Sequence, residues 1–151
     1  MLKIGRLTDY AVVLLCQMSG KGVWRSAGDL ARESRLPEAT VAKVLKQLAR
    51  GGLLVTQRGA SGGYDLARPS AMISVAQVIE IMEGQTALTP CAIDGTTKCR
   101  ISGHCSIRGH WREVNRAIRG ALEKVSLEDM ARDGIHIGDP MQNDRISTNV
   151  A

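Results

Sequence analysis

Cys91, Cys99 and Cys105 stand at the spacing C-x7-C-x5-C in a polar, glycine-containing stretch, and His104 and His110 flank the last of them. Thiols gathered in one segment can wrap a metal centre, and soft sulfur suits both zinc and iron–sulfur clusters. The spacing is not the C-x2-C pair of a zinc ribbon. Three sulfurs leave a fourth ligand undecided, which makes a cluster labile and easy to tune. The other reading is a structural zinc site completed by His104 or His110. Spacing alone leaves both open. The remaining cysteine, Cys16, sits among Val13, Leu14 and Leu15 and reads as core. The opening Met1-Leu2-Lys3-Ile4-Gly5-Arg6 lacks the apolar run of a secretory signal. No apolar stretch is long enough to span a bilayer, so no membrane role is expected. The expectation is a cytoplasmic protein with reduced thiols rather than a disulfide framework.

A second constellation is basic. Residues 1–70 hold 11 Lys/Arg against 5 Asp/Glu, whereas residues 106–151 hold 7 of each. The positive excess is therefore confined to the first half, which points to an anionic partner, duplex nucleic acid first. Within that half, Thr40, Lys43, Lys46, Gln47 and Arg50 fall on one side of a periodic segment, opposite Val41, Val44, Leu45 and Leu48. Further on, Arg58 and Ser61 stand among the glycines of Arg58-Gly59-Ala60-Ser61-Gly62-Gly63. The glycine run lacks the Lys-Ser/Thr of a phosphate-binding loop and does not lead straight into a capped helix, so nucleotide binding is not expected. Phe is absent and only Tyr10, Trp24, Tyr64 and Trp111 are aromatic, which argues against a base-stacking surface for single strands. No Cys-His-Asn/Asp set and no paired loop carboxylates suggest an enzyme.

These groups need elements to hold them. The chain has 151 residues, 44% apolar and 23% charged, which suits one ordinary folded domain or a small domain with an appended helix. Thr8 reads as an N-cap with Asp9 behind it, opening a helix over about 9–19. Ser26 caps a second helix to about Arg35, with Leu30 and Ala31 inward. Leu36-Pro37 is a turn. A third helix runs over about 38–50 and closes at Gly51-Gly52. Leu53–Thr56 and Tyr64–Ala67 are β-prone runs around the glycine loop and read as a hairpin. Ser74 caps a helix at about 75–83, with Val75, Val78, Ile79 and Met82 spaced for one face.

Residues 84–104 read as a long loop, and loops of that length in compact domains are usually functional. A long helix follows from Cys105 or Ser106 to about 125. Its stripe of Trp111, Val114, Ile118, Leu122 and Val125 must pack against something, and pairing with a second copy would bury it. Ser126 caps a last short turn, and the chain from about Arg132 reads as a flexible tail. The fold class is mainly α with a small β-hairpin: a winged helix-turn-helix plus a long C-terminal dimerisation helix. The domain boundaries are 1–83 for the winged helix-turn-helix, 84–104 for the cysteine loop, 105–131 for the dimerisation helix and terminal turn, and 132–151 for the tail. A helix fits the major groove of B-DNA, so Thr40, Lys43, Lys46, Gln47 and Arg50 are candidate contacts, and Arg58 and Ser61 are candidates at the wing.

The opening Leu7-Thr8-Asp9-Tyr10-Ala11, the wing Arg58–Leu66, and three cysteines followed by Trp111 together resemble the IscR/NsrR/RirA family of bacterial regulators. The resemblance covers residues 1 to about 131. It implies a homodimeric winged-helix transcription factor, paired through the long helix and bound to a double-stranded DNA operator. It implies that Cys91, Cys99 and Cys105 hold an iron–sulfur cluster, 2Fe–2S in the first place and 4Fe–4S otherwise, with zinc as the alternative. Cluster state would set operator affinity, for control of SUF-type iron–sulfur assembly genes or for repression that responds to nitric oxide or iron. Proteins that assemble and donate clusters are further implied partners.

Two departures from the family pattern and one position that fits it bear on the site. Members like IscR place a histidine ligand three residues after the third cysteine, where this chain has Arg108. Members like NsrR can use an aspartate near the start of the first helix, from the opposite subunit, and Asp9 fits that position. Asp9 ranks first as fourth ligand, ahead of His104 and His110; stabilisation of a helix N-terminus is its other reading. Some members carry a glutamate in the recognition helix that affects operator choice, where this chain has Ala42.

Overall fold

The computed structural model describes residues 3–85, 87–89, 92, 99–101 and 103–132. Among these the chain forms six helices and one two-stranded antiparallel sheet. They are α1 (Arg6–Met18), α2 (Ala27–Ser34), α3 (Glu38–Arg50), β1 (Leu54–Gln57), β2 (Gly63–Leu66), α4 (Val75–Glu83), α5 (Arg108–Glu123) and α6 (Leu127–Arg132), with a 3-10 turn at Ser70–Met72. The expected residues 133–151 of the tail, and Cys91, lie outside the described residues.

Helix α1 begins three residues earlier than its sequence suggests. Gly5 is the N-cap, and Thr8 is buried within the first turn. Its hydroxyl donates to Glu83 Oε1 at 2.6 Å, and the Gly5 N–H donates to the same oxygen at 2.6 Å. Thr8 is therefore not the cap. A carboxylate at the end of α4 caps α1 instead. Ala11, Leu14, Leu15 and Met18 recur at helical spacing and enter the core.

The helix-turn-helix forms from local signals. Ser26 Oγ accepts from the Asp29 N–H, which satisfies one orphan donor of α2. Arg35 turns the chain in the left-handed region at φ 56°, and Pro37 starts α3. Leu30 and Ala31 of α2 pack with Val41, Val44, Leu45 and Leu48 of α3.

The hairpin pairs Leu54 with Leu66 through Gln57 with Gly63, one residue later in β1 and one earlier in β2 than the apolar runs suggest. A further pairing joins Arg25 to Tyr64 on the outer side of β2, with N–H to O distances of 2.9 and 2.8 Å. The Arg25 side chain pairs in turn with Glu33 of α2, so the wing is anchored to the helix-turn-helix.

Ser74 and Gln77 form a capping box at the start of α4. The chain then leaves through the cysteine segment and α5, and returns. Leu127 of α6 is fully buried with the core of α1, α2 and α3. Its N–H donates to Ile73 O at 2.8 Å, and the Val75 N–H donates to Val125 O at 2.9 Å. Helix α6 thus packs as part of the winged-helix core rather than as an end of the long helix. That helix is shorter than its stripe suggests, Arg108–Glu123, and none of its residues is buried.

Candidate nucleic-acid interface and cysteine segment

Helix α3 presents two faces. Val41, Val44, Leu45 and Leu48 are buried, which leaves Lys43, Lys46 and Arg50 exposed and Thr40 half-buried on the outer side. Gln47 departs from the sequence expectation. Its amide donates to Ile81 O at 2.9 Å and to Met82 O at 3.1 Å, both in the last turn of α4. Those donors are engaged inside the protein. The same contact is tight at Gly51, where a Cβ would lie 2.6–2.7 Å from the Ile81 side chain. The C-terminal end of α3 is therefore fastened to the end of α4.

The wing loop carries Arg58 and Ser61 on an exposed tip between β1 and β2. Two of its glycines answer to close backbone approach, one within the wing and one against Arg25. A Cβ on Gly62 would sit 2.2 Å from Gln57 O, and one on Gly63, at φ 150°, would sit 2.4 Å from Arg25 O. No side chain fits there. Among the described residues, Lys21, Arg25, Arg32, Arg116, Arg119 and Arg132 form ion pairs with other described residues. Lys43, Lys46, Arg50 and Arg58 are not among them, so α3 and the wing present unpaired cations.

In the cysteine segment, Cys99 and Cys105 are free, half-buried thiols. His104 and His110 are exposed, and the His104 N–H donates to Ile101 O at 3.0 Å. Asp9 is exposed in the first turn of α1, next to buried Thr8. Among the described residues of one chain, no three His, Cys, Asp or Glu come together as a metal site. Cys16 is apart from this segment. It packs against the core, points its sulfur at Leu127 O at 3.9 Å, and has its thiol pKa raised by burial. The donor set of the segment fits a thiolate-bound centre: two thiols that are neither oxidised nor packed into the core. Three residues after Cys105, the Arg108 Nε is buried without a hydrogen-bond partner, a feature that sequence reading did not anticipate.

Helix α5 is held to α4 by Arg119, which reaches Glu80 at 2.9 Å and Glu123 at 2.8 Å. Its apolar stripe stays open: Trp111 is 36% exposed, Val114 42% and nearby Val125 37%. Ile118 and Leu122 are half-buried. A cleft of about 840 Å³ is lined by α1 and α4 residues including Asp9, Val12, Val75 and Ile79, with Ile4 and Met130. Among the described residues no helix is long and apolar enough to cross a membrane.

Comparison with known proteins places this arrangement. Residues 4–133 match the Rrf2 family model, described as an iron-dependent transcriptional regulator. The chain is similar to the HTH-type transcriptional regulator NsrR of Oceanobacillus iheyensis, at 28% identity over 134 residues, or 87% of this chain and 91% of that one. Among solved structures, IscR of T. potens superposes with a TM-score of 0.62 at 27% identity, covering 87% of this chain and 88% of that one. CymR, the global cysteine regulator of B. subtilis, shares the fold, with a TM-score of 0.64 at 24% identity over 88% of this chain and 98% of its own. A helix-turn-helix with an anchored wing, matched over nearly the whole described chain, makes this protein a regulator rather than an enzyme: it belongs to the Rrf2 family of DNA-binding transcriptional regulators.

Proposed function

We propose that the chain acts as a homodimer whose operator affinity is set by an iron–sulfur cluster held by Cys91, Cys99 and Cys105. One observation carries this reading. The segment bearing the free thiols Cys99 and Cys105 joins α4, whose last turn grips α3 through Gln47, to α5, whose apolar stripe is unburied. When bound, a cluster supplies a link among the cysteines that oxidants or iron scarcity can remove. The family's description as iron-dependent supports this reading. With Arg108 in the place of a histidine ligand, Asp9 from the opposite subunit is the first candidate for the fourth position, and His104 and His110 follow.

The rest of the mechanism belongs to the protein's own residues. Helix α3 enters the major groove, where Thr40 faces base edges and Lys43, Lys46 and Arg50 meet phosphates. Arg58 reaches the minor groove from the wing, and Ser61 meets the backbone. Two α5 helices bury their stripes against each other and set the spacing of the two α3 helices, so half-sites lie about one helical turn apart. A shift in the segment after Gly84 passes to α3 through the last turn of α4. Its effect on affinity is limited to the difference in DNA binding between the two states. SUF-type iron–sulfur assembly genes are the target that the family resemblance implies, with cluster-donating assembly proteins as partners.

The test is an absorption spectrum of protein purified without oxygen, with iron, sulfide and zinc analysis, followed by operator affinity of loaded and metal-free protein. Visible absorption with matching iron and sulfide, and an affinity that differs between the two forms, is the expected result. A colourless protein with stoichiometric zinc would leave a zinc-stabilised DNA binder instead.

A further inference from the structure

Glu33 is one of five carboxylates in residues 1–70, where 11 lysines and arginines make the chain basic. It stands near the C-terminal end of α2 and gathers two cations of the segment between α1 and α2. Its Oε1 accepts from Lys21 Nζ at 3.0 Å, and its Oε2 accepts from the Arg25 guanidinium. Both hydrogen bonds favour the ionised form, Arg25 first and Lys21 second, and hold the Glu33 carboxyl below the usual carboxylate range. Of the three side chains Arg25 is the least exposed, at 15%. Its pair with Glu33 is accordingly less screened than one between two fully solvated groups. The Arg25 backbone faces the other way. It exchanges two hydrogen bonds with Tyr64 of β2, at 2.9 and 2.8 Å. Its carbonyl also lies so close to Gly63 that a Cβ there would stand 2.4 Å from the oxygen. Gly63 pairs with Gln57 at the tip end of the β1–β2 ladder, and Arg58 follows Gln57 in the chain. Arg25 thus links the Glu33 carboxylate to the strand end from which the wing tip projects.

We propose that Glu33 is a positioning residue for DNA binding: by holding Arg25 and Lys21 it fixes the tip end of the wing, so that Arg58 meets the duplex in a set orientation. The inference rests on the proposed contact between Arg58 and DNA. A hairpin of two strands is marginal on its own, and the segment paired at Arg25 gives it a third backbone. Holding that segment before DNA arrives lowers the ordering cost of binding. Charge alone argues for the opposite sign. A carboxylate on a basic surface repels phosphate, and its removal by itself strengthens the attraction to DNA. The two effects separate, because only the brace changes what Arg58 contributes.

The experiment is a double-mutant cycle. Full-length protein, with every variant prepared alike and without oxygen, is titrated into a labelled duplex oligonucleotide of mixed sequence at one fixed salt concentration. The variants are Glu33→Gln, Arg58→Ala and the two together. Glu113→Gln, alone and with Arg58→Ala, is the control, since it removes an exposed carboxylate paired with Arg116 on α5. Amide hydrogen exchange of the DNA-free proteins is followed at Arg25 and Tyr64, and at Leu45 and Leu48 in the core. Arg58→Ala weakens binding in the wild type, and in the Glu33→Gln background that fold-change is expected to shrink about threefold or more, the size of coupling seen within one interaction network. The Glu113→Gln background should leave it at the wild-type value. In Glu33→Gln the Arg25 and Tyr64 amides should exchange faster while Leu45 and Leu48 keep their protection. An Arg58→Ala fold-change equal in the wild-type and Glu33→Gln backgrounds would overturn the positioning role and leave the wing in the interface. Equal shrinkage in the Glu113→Gln background would make the effect one of net charge, and faster exchange at Leu45 and Leu48 would make Glu33 a residue of general stability; either result overturns the proposal. Arg58→Ala without effect in the wild type would remove the wing contact and the proposal together.

Discussion

Thr8 and Glu83, 75 positions apart, share a 2.6 Å hydrogen bond that joins the start of α1 to the end of α4. The same carboxylate oxygen accepts the Gly5 N–H at 2.6 Å. An ionised acceptor placed at a helix N-terminus satisfies orphan donors and complements the helix dipole. Glu83 is also the last helical residue before the cysteine segment, and Thr8 precedes Asp9. One contact therefore fixes the start of the cysteine segment relative to α1 of the same chain, whose Asp9 is the candidate ligand for the opposite subunit's cysteines.

Removing that acceptor leaves the buried Thr8 hydroxyl unsatisfied and hands the exposed Gly5 N–H to water. Glu83→Ala is expected to destabilise the fold by about 1–3 kcal/mol. Thr8→Val, which keeps the Gly5 bond, should cost less. Thermal unfolding of both variants under one buffer is the check, and equal effects would show that the Gly5 bond contributes nothing.

Gln47 makes a second junction, from α3 to the carbonyls of Ile81 and Met82. A base-reading residue and a helix-fastening residue respond differently to substitution. Gln47→Leu is expected to lower stability by about 1–2 kcal/mol and to leave the pattern of base preference unchanged. Competition binding with single-base operator variants measures this. Relaxed discrimination at one base pair would return Gln47 to the DNA interface.

Much of the fold was legible where its causes are local. Ser26 and Ser74 cap α2 and α4 through neighbours three residues away, and the apolar spacing of Val41, Val44, Leu45 and Leu48 fixes the inner face of α3. What escaped the sequence was set by distant partners. Thr8 has the chemistry of a cap, but its acceptor is Glu83, and the helix starts at Arg6. Gln47 lies on the polar side of α3, yet α4 folds over it. Nothing in Ser126-Leu127 announces that Leu127 returns to the core through its bond to Ile73 O. In the candidate site, the cysteine spacing is a signal for a thiolate centre that the sequence itself carries, because thiols in a polar segment have few other uses. The orphaned Arg108 Nε has no such signal, because burial of a single atom is a tertiary property.

Arg58 and Lys46 are exposed cations of the wing and of α3 without carboxylate partners among the described residues. Each phosphate contact releases counterions, so removal should weaken binding across sequences and lower the salt slope by about 1 per contact. Arg58→Ala and Lys46→Ala, titrated on duplex DNA at several salt concentrations, test this. An unchanged slope for Arg58→Ala would take the wing out of the interface.

The stripe on α5 has a matching test in solution. Ile118 is half-buried within it, and a charge there cannot be accommodated between two apolar helix faces. Ile118→Glu is expected to yield monomer in sedimentation experiments while leaving the winged-helix core folded. A dimer of unchanged affinity would move the subunit interface elsewhere.

Cys16 gives a pH signature that is independent of the metal question. Burial raises its thiol pKa above the ordinary value of 9.0. Below that value both folded and unfolded chains keep the proton, and the thiol makes no difference to stability. Above it the unfolded chain releases the proton while the folded chain retains it, so stability falls as pH rises through 9 and continues to fall up to the folded pKa. Cys16→Ala removes this dependence, although it also loses packing against the core. The informative quantity is therefore the change in unfolding free energy between about pH 8 and pH 10, which should be smaller in Cys16→Ala than in the wild type. Denaturant unfolding in the absence of oxygen measures it. Equal changes in the two proteins would mean that the Cys16 thiol ionises as readily in the fold as outside it.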